Sequence, residues 1–121
     1  MATITPTITD ISNDGSVQKV VWANLTNTDT VGAVARMAEW ADRSIQVAGT
    51  FGGATIVIEG SNDETNYSTL NNAQGTALSF TAAGLKQIVE VPAVLRPSLS
   101  GGTGSTLTVT MICRRANSLR N

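Results

Sequence analysis

Histidine is absent from the 121 residues, which removes the commonest general base and the commonest transition-metal ligand together. Most familiar hydrolase chemistries go with it. A single cysteine, Cys113, cannot close an internal disulfide, so the fold must rest on its core or on partners, as in a chain made in a reducing cytoplasm. Charge is scarce as well: eight Lys and Arg stand against nine Asp and Glu, a net charge of −1. That balance offers nothing comparable to phosphate neutralisation, so nucleic acid is not an expected partner. No apolar run approaches the roughly 18 residues of a membrane span, and Met1-Ala2-Thr3-Ile4-Thr5-Pro6 has neither a basic start nor the apolar stretch of an export signal. A soluble chain with no membrane partner is expected.

Thr, Gly, Ser and Asn fill more than a third of the positions, a composition suited to strands and turns and poor in helix formers. At 121 residues one domain is expected. The first ten residues alternate Thr with Ile, Pro and Ala, with Ile4 and Ile8 on one side of an extended segment that reads as an arm or edge strand. Val17 to Leu25 follows the turn signal Ser12-Asn13-Asp14-Gly15 and predicts a strand with Trp22 in the core. Val31 to Ala41 fits a short helix or an irregular strand. Ser44 to Phe51 alternates strictly, and Gly52-Gly53 predicts a tight hairpin returning through Ala54 to Gly60 as its antiparallel neighbour. Tyr67 to Leu70, Leu78 to Phe80 and Lys86 to Val91 read as shorter strands. Pro92 and Pro97 restrict the next stretch to an edge strand or a crossover between sheets. Thr106 to Cys113 alternates Thr with Leu, Val and Met, giving one apolar and one hydroxyl face, and is the central-strand candidate.

These elements predict an all-β fold, an antiparallel, jelly-roll-like β-sandwich of seven to nine short strands. An extended N-terminal arm (1–12), a single sandwich domain (13–115) and a C-terminal tail (116–121) are the expected divisions.

Chemistry is thinly represented. Gly101-Gly102-Thr103-Gly104-Ser105 has the glycines of a phosphate cradle but neither the following Lys nor a helix. Asp10, Asp14, Asp29, Asp63 and Glu64 lie at turns without the spacing of a calcium loop and read as turn caps. Glu59 and Glu90 could pair as in a glycosidase only if the fold brought them together. Cys113, with no histidine to activate it, reads as a small buried hydrophobe. Asn24-Leu25-Thr26 and Asn66-Tyr67-Ser68 match the glycosylation pattern, which a chain without an export signal never presents to the modifying machinery. The densest charge cluster is Arg36, Glu39, Asp42 and Arg43, open to two readings: ion pairs between subunits, or a solvated surface network. Arg114, Arg115 and Arg120 form a small basic patch.

Trp40 through Thr55 (Trp-Ala-Asp-Arg-Ser-Ile-Gln-Val-Ala-Gly-Thr-Phe-Gly-Gly-Ala-Thr) resembles a group of small structural proteins of tailed bacteriophages. Further matching blocks are Ile58 to Asp63, Gln74 to Leu85, and Leu95-Arg96-Pro97 leading to Gly101-Gly102-Thr103-Gly104, so the likeness spans roughly residues 20 to 115. One departure is Glu64, where the family pattern Gly-Ser-Asn-Asp-Gly has glycine, with Tyr67 as the aromatic that follows. The resemblance implies a virion component with a β-sandwich fold, a capsid decoration or cement protein on the outer shell that clamps neighbouring subunits. The implied partner is the major capsid protein, bound by a homo-oligomer, a dimer or trimer, with no enzymatic activity, cofactor, metal or small-molecule substrate. Candidate contact residues are Ile4, Thr5, Pro6 and Ile8 in the arm, the cluster Arg36, Glu39, Asp42 and Arg43, and Arg114 and Arg115 before the tail. A tail or fibre module is one alternative. A carbohydrate-binding sandwich is another and needs exposed aromatics, for which only Trp22, Trp40, Phe51, Tyr67 and Phe80 are available.

Overall fold

A computed structural model describes residues 3–115. Eleven strands follow in chain order: β1 (Thr3–Ile4), β2 (Thr7–Asp10), β3 (Val17–Thr26), β4 (Val31–Gly32), β5 (Asp42–Thr50), β6 (Thr55–Ser61), β7 (Ser68–Thr69), β8 (Ser79–Phe80), β9 (Gly84–Ile88), β10 (Val94–Ser100) and β11 (Thr106–Arg114). The count exceeds the expected seven to nine because the N-terminal segment read as one arm or edge strand divides into β1 and β2, and the ambiguous Val31 to Ala41 segment contributes β4.

The strands form two sheets. One runs β1-β4-β10-β6-β7, with β8 also paired to β6; the other runs β2-β3-β11-β5-β9. Stripped of β1 and β2, the order is β4-β10-β6-β7 over β3-β11-β5-β9, and chain-consecutive strands repeatedly lie in opposite sheets. That is the double Greek key of a jelly roll. Alternation supplies the core, as Val20 and Trp22 of β3, Ile45 and Val47 of β5, Ile56 and Ile58 of β6, and Leu107, Val109 and Met111 of β11 are all fully buried between the sheets. Trp22 takes its expected core position, and its indole Nε1 donates to the carbonyl of Ala33 at 2.8 Å. β11 is central, paired with β3 on one side and β5 on the other.

The hairpin expected at Gly52-Gly53 does not form. β5 and β6 lie in different sheets. Both flanks of β5 are already occupied, by β11 and β9, so the chain must cross to the other sheet. The two glycines do adopt positive φ, +57° and +86°, but this curvature serves a crossover. The Gly52 carbonyl accepts from the Thr103 N–H at 3.0 Å, tying it to the β10–β11 loop.

The proline rule also fails at β10. Pro97 lies in an inner strand flanked by β4 and β6, not in an edge strand or a crossover. Leu95 exchanges both backbone hydrogen bonds with Ala35, and the Leu99 N–H donates to Thr30. Alternation therefore turns the ring nitrogen of Pro97 to that same flank, in the gap where residues 33 and 34 leave the ladder. No donor is missed there. The Val31 to Ala41 segment takes the irregular extended form, with β4, an isolated bridge from Ala35 to Leu95 and a turn at 38–39.

Residues 3–10 become two edge strands, one in each sheet. β1 runs parallel to β4, while β2 pairs with β3. Pro6 separates them, so Ile4 and Ile8 do not share one side of one strand as expected: Ile4 packs half-buried on the core, and Ile8 is 51% exposed. A residue that lacks an N–H and restricts its neighbour suits the place where the chain changes sheets.

Candidate functional site

The β2-β3-β11-β5-β9 sheet presents a regular outer face. Cross-strand register lines up Thr7, Val21, Thr110, Gln46 and Leu85 in one row and Thr9, Lys19, Ile112, Ser44 and Gln87 in the next. Lys19 is the one charge in those two rows. Their neighbours one residue along on the three inner strands, Val20, Met111 and Ile45, point the other way, into the core. With strands about 4.8 Å apart, five strands give a face about 19 Å across. Alternation in Thr106 to Cys113 already marked the hydroxyl side of β11, but nothing local to that run shows which strands extend it.

The expected contact residues divide among several places. Arg36 pairs with Glu64 at 2.6 Å, both exposed, and the guanidinium holds the Glu64 carboxyl below its usual range through that hydrogen bond. Asp42 stands opposite Arg114 at the β5–β11 end. The two line a shallow groove of about 290 Å³ with Ser44, Gln87 and Ile112. Arg115 lies with its guanidinium carbon 5.2 Å from the Trp40 ring centroid, close enough for a cation–π contact. Glu39 is exposed at the turn before β5. Thr5 is exposed and Pro6 half-buried between the two edge strands. The tail 116–121, with Arg120, lies outside the described residues.

Arg43 fits neither reading of the charge cluster. It is 3% exposed, because β5 alternation sets it on the inner face opposite Cys113 and Ile88. Its Nη2 donates to the Glu90 carbonyl at 2.6 Å while Nε has no partner. Burial pushes its pKa down. At the end of a thin sandwich, a long side chain can bury its stem and still reach a carbonyl.

The acidic groups are committed to local structure. Asp63 accepts from the Thr65 and Asn66 backbone N–H groups at 2.9 and 2.8 Å, and these bonds, with those from the Asn66 and Ser61 side chains, hold its pKa well below the carboxylate range. Asp14 is lowered likewise by Ser16 and Ser12. Both are turn caps, as expected. Glu59 pairs with Arg96 at 2.8 Å, and Glu90 accepts from the backbone and side chain of Asn71 at 2.7 and 2.6 Å. Each carboxylate has its own partner. Among the described residues no group of three or more acidic or thiol side chains is placed to hold a metal.

The glycine loop is a strut. Asn27 donates to the carbonyls of Gly101 and Gly102 and accepts from the Ser105 N–H, and the Ser105 hydroxyl donates to the Phe51 carbonyl. Asn27 thus holds the loop by its carbonyls, the reverse of a phosphate cradle. Cys113 is buried, and loss of solvation pushes its thiol up to about 11. Of the aromatics, Trp22 and Phe80 are buried, Trp40 and Phe51 pack half-buried against the core, and Tyr67 is covered by the Arg96 guanidinium 3.7 Å from its ring centroid. No aromatic platform faces solvent.

No protein-family model matches the chain, and no curated protein matches it. Among solved structures it is similar to the crystal structure of the SPBc2 prophage-derived protein YomS, with a TM-score of 0.60 and 12% sequence identity. The match covers 80% of this chain and 93% of that one. At that identity the likeness is one of fold.

Proposed function

We propose that this chain is a non-enzymatic structural protein of a bacteriophage virion, a decoration protein that binds the outer surface of the capsid and stabilises contacts between major capsid protein subunits. The observation that carries the reading is the broad outer face of the β2-β3-β11-β5-β9 sheet. Rows of Thr, Ser and Gln with interspersed Val21 and Ile112 can meet a protein surface through hydroxyl and apolar contacts without desolvating many charges. The fold likeness to a prophage-derived protein supports the phage setting, as does the resemblance carried by residues 40–55. A jelly roll hosts many functions, so the fold alone decides none of them.

The major capsid protein is the partner this reading assigns, and the capsid exterior is the location. Thr110 stands at the middle of the face, between Val21 and Gln46. Thr110→Arg should abolish co-sedimentation with purified shells while leaving the melting temperature near that of the parent. Undiminished shell binding by this variant would move the contact elsewhere. Cryo-electron microscopy of virions carrying the chain should then show density on the shell; density on the tail would favour the tail-module reading. The carbohydrate-binding alternative finds no exposed aromatic to support it, and specific binding on a glycan array would revive it.

A further inference from the structure

We infer that the open edge of β9 is a homodimer seam, where two copies pair antiparallel about a two-fold axis at Leu85 to make one continuous ten-stranded sheet. The observations concern only this chain's edge, so the proposal stands whether or not the assembly binds a capsid.

The edge groups can be identified by parity. The Arg115 N–H donates to Ser16 on the β3 side, so odd residues of β11 direct their backbone groups toward β3 and even ones toward β5. Carried through the registers Thr110↔Gln46 and Ile45↔Lys86, this turns the even residues of β9 toward β5 and leaves Leu85 and Gln87 facing outward. The Val89 N–H, which donates to Asn71 and not to β5, has the same parity. An edge with unpaired N–H and C=O groups is a template for another strand.

The side chains select this edge and its register. Among the described residues, three of the five exposed large hydrophobics lie on or just after β9, Leu85 at 65%, Val89 at 51% and Val91 at 45%, and the other two, Ile8 and Ile11, on or just after β2. The opposite edge, β2, is blunted by Pro6 before it and Asp10 at its end, two devices that discourage pairing. Two-fold antiparallel pairing must match outward side chains with outward ones, so the axis passes through a residue. An axis at Lys86 would oppose two ammonium groups, which is unfavourable. An axis at Gln87 would set Leu85 of one copy against Val89 of the other, where the Val89 N–H is already given to Asn71. An axis at Leu85 opposes the two most exposed apolar side chains, sets Lys86 against Gly84 and Gln87 against Ala83, and leaves Val89 beyond the paired stretch. Leu85, Lys86 and Gln87 also line a cleft of about 450 Å³ with Asn72, Ala73 and Gln74.

Two short edge strands bury well under the roughly 800 Å² per partner of a standard interface, so the dimer forms at high protein concentration and is weak when dilute. Sedimentation velocity across concentrations, from micromolar to millimolar, should show a monomer–dimer equilibrium. Leu85→Lys and Leu85→Glu should each raise the dissociation constant at least about tenfold, because each opposes like charges at the axis. Mixing the two variants should restore dimers at parental concentrations, since the axis then pairs opposite charges. Leu85→Cys should form a disulfide-linked dimer on mild oxidation, whereas the parent, with Cys113 buried, should not. Both charged variants should keep the parental melting temperature. A chain that stays monomeric at millimolar concentration overturns the seam. So does a dimer unaffected by either charge, or a mixture that remains dissociated.

Discussion

Gly32 of β4 lies against the edge of the Trp22 indole so closely that a β-carbon on it would fall 2.5 Å from Trp22 Cδ1 and 2.7 Å from Pro97 Cδ. The smallest residue is therefore the one that lets β4 cover both the buried tryptophan and the inner-strand proline. Gly32→Ala should destabilise the fold by about 1–3 kcal/mol, the usual cost of overpacking a core. Denaturant titration should show a lower midpoint with an unchanged slope.

Glu64 occupies the left-handed region, at φ +61°, which suits the glycine of the related phage pattern better than a glutamate. Its exposed ion pair with Arg36 offsets little. Glu64→Gly should raise the melting temperature by a few degrees, as thermal scans would reveal, and the parent's small dependence on salt at this site should vanish. A clear fall in melting temperature would mean that the ion pair outweighs the backbone conformation.

Cys113 has its thiol pKa raised from 9.0 to about 11, chiefly by burial. Because the folded value exceeds the unfolded one, the folded state holds the proton longer, and this contribution is fully present below pH about 9. It is lost as pH rises toward 11. Two pKa units correspond to at most on the order of 2–3 kcal/mol. Stability measured by denaturant between pH 8 and 11 should fall in the parent and fall less in Cys113→Ala. A thiol reagent at pH 8 should label the parent only as fast as it opens.

Arg43 offers a sharper contrast. Its buried guanidinium satisfies one carbonyl and leaves Nε without a partner, so an apolar side chain of similar length should serve as well. Arg43→Met should be neutral or stabilising by about 1 kcal/mol, whereas Arg43→Ala, which leaves a cavity beside Cys113 and Ile88, should cost about 2–3 kcal/mol. If Met costs as much as Ala, the charge is contributing to stability.

Much of the fold was legible where alternation ran long. β5 and β11 and their buried faces follow from period-two patterning, whereas Trp22 was placed in the core by its size, since β3 shifts register between Trp22 and Leu25. The division of the N-terminal segment into β1 and β2 lay below that signal, whereas the equally short β7 and β8 fell within runs that read as strands. The outer face was half legible, since the hydroxyl side of β11 is visible in Thr106, Thr108 and Thr110 while the strands that flank it are distant in sequence. Arg36, Glu39, Asp42 and Arg43 read as one cluster, yet a one-residue step along β5 sends Arg43 inward and Asp42 outward.

Local patterning reveals which segments are extended and which side of β5 and β11 is apolar, because those properties depend on neighbours one and two residues away. That Gly52-Gly53 carries the chain across the sandwich, that Pro97 sits in an inner strand, and that β9 ends its sheet emerge only from how the strands assemble. Those outcomes depend on which flank of each strand is already filled by residues tens of positions away, and no local pattern records that occupancy.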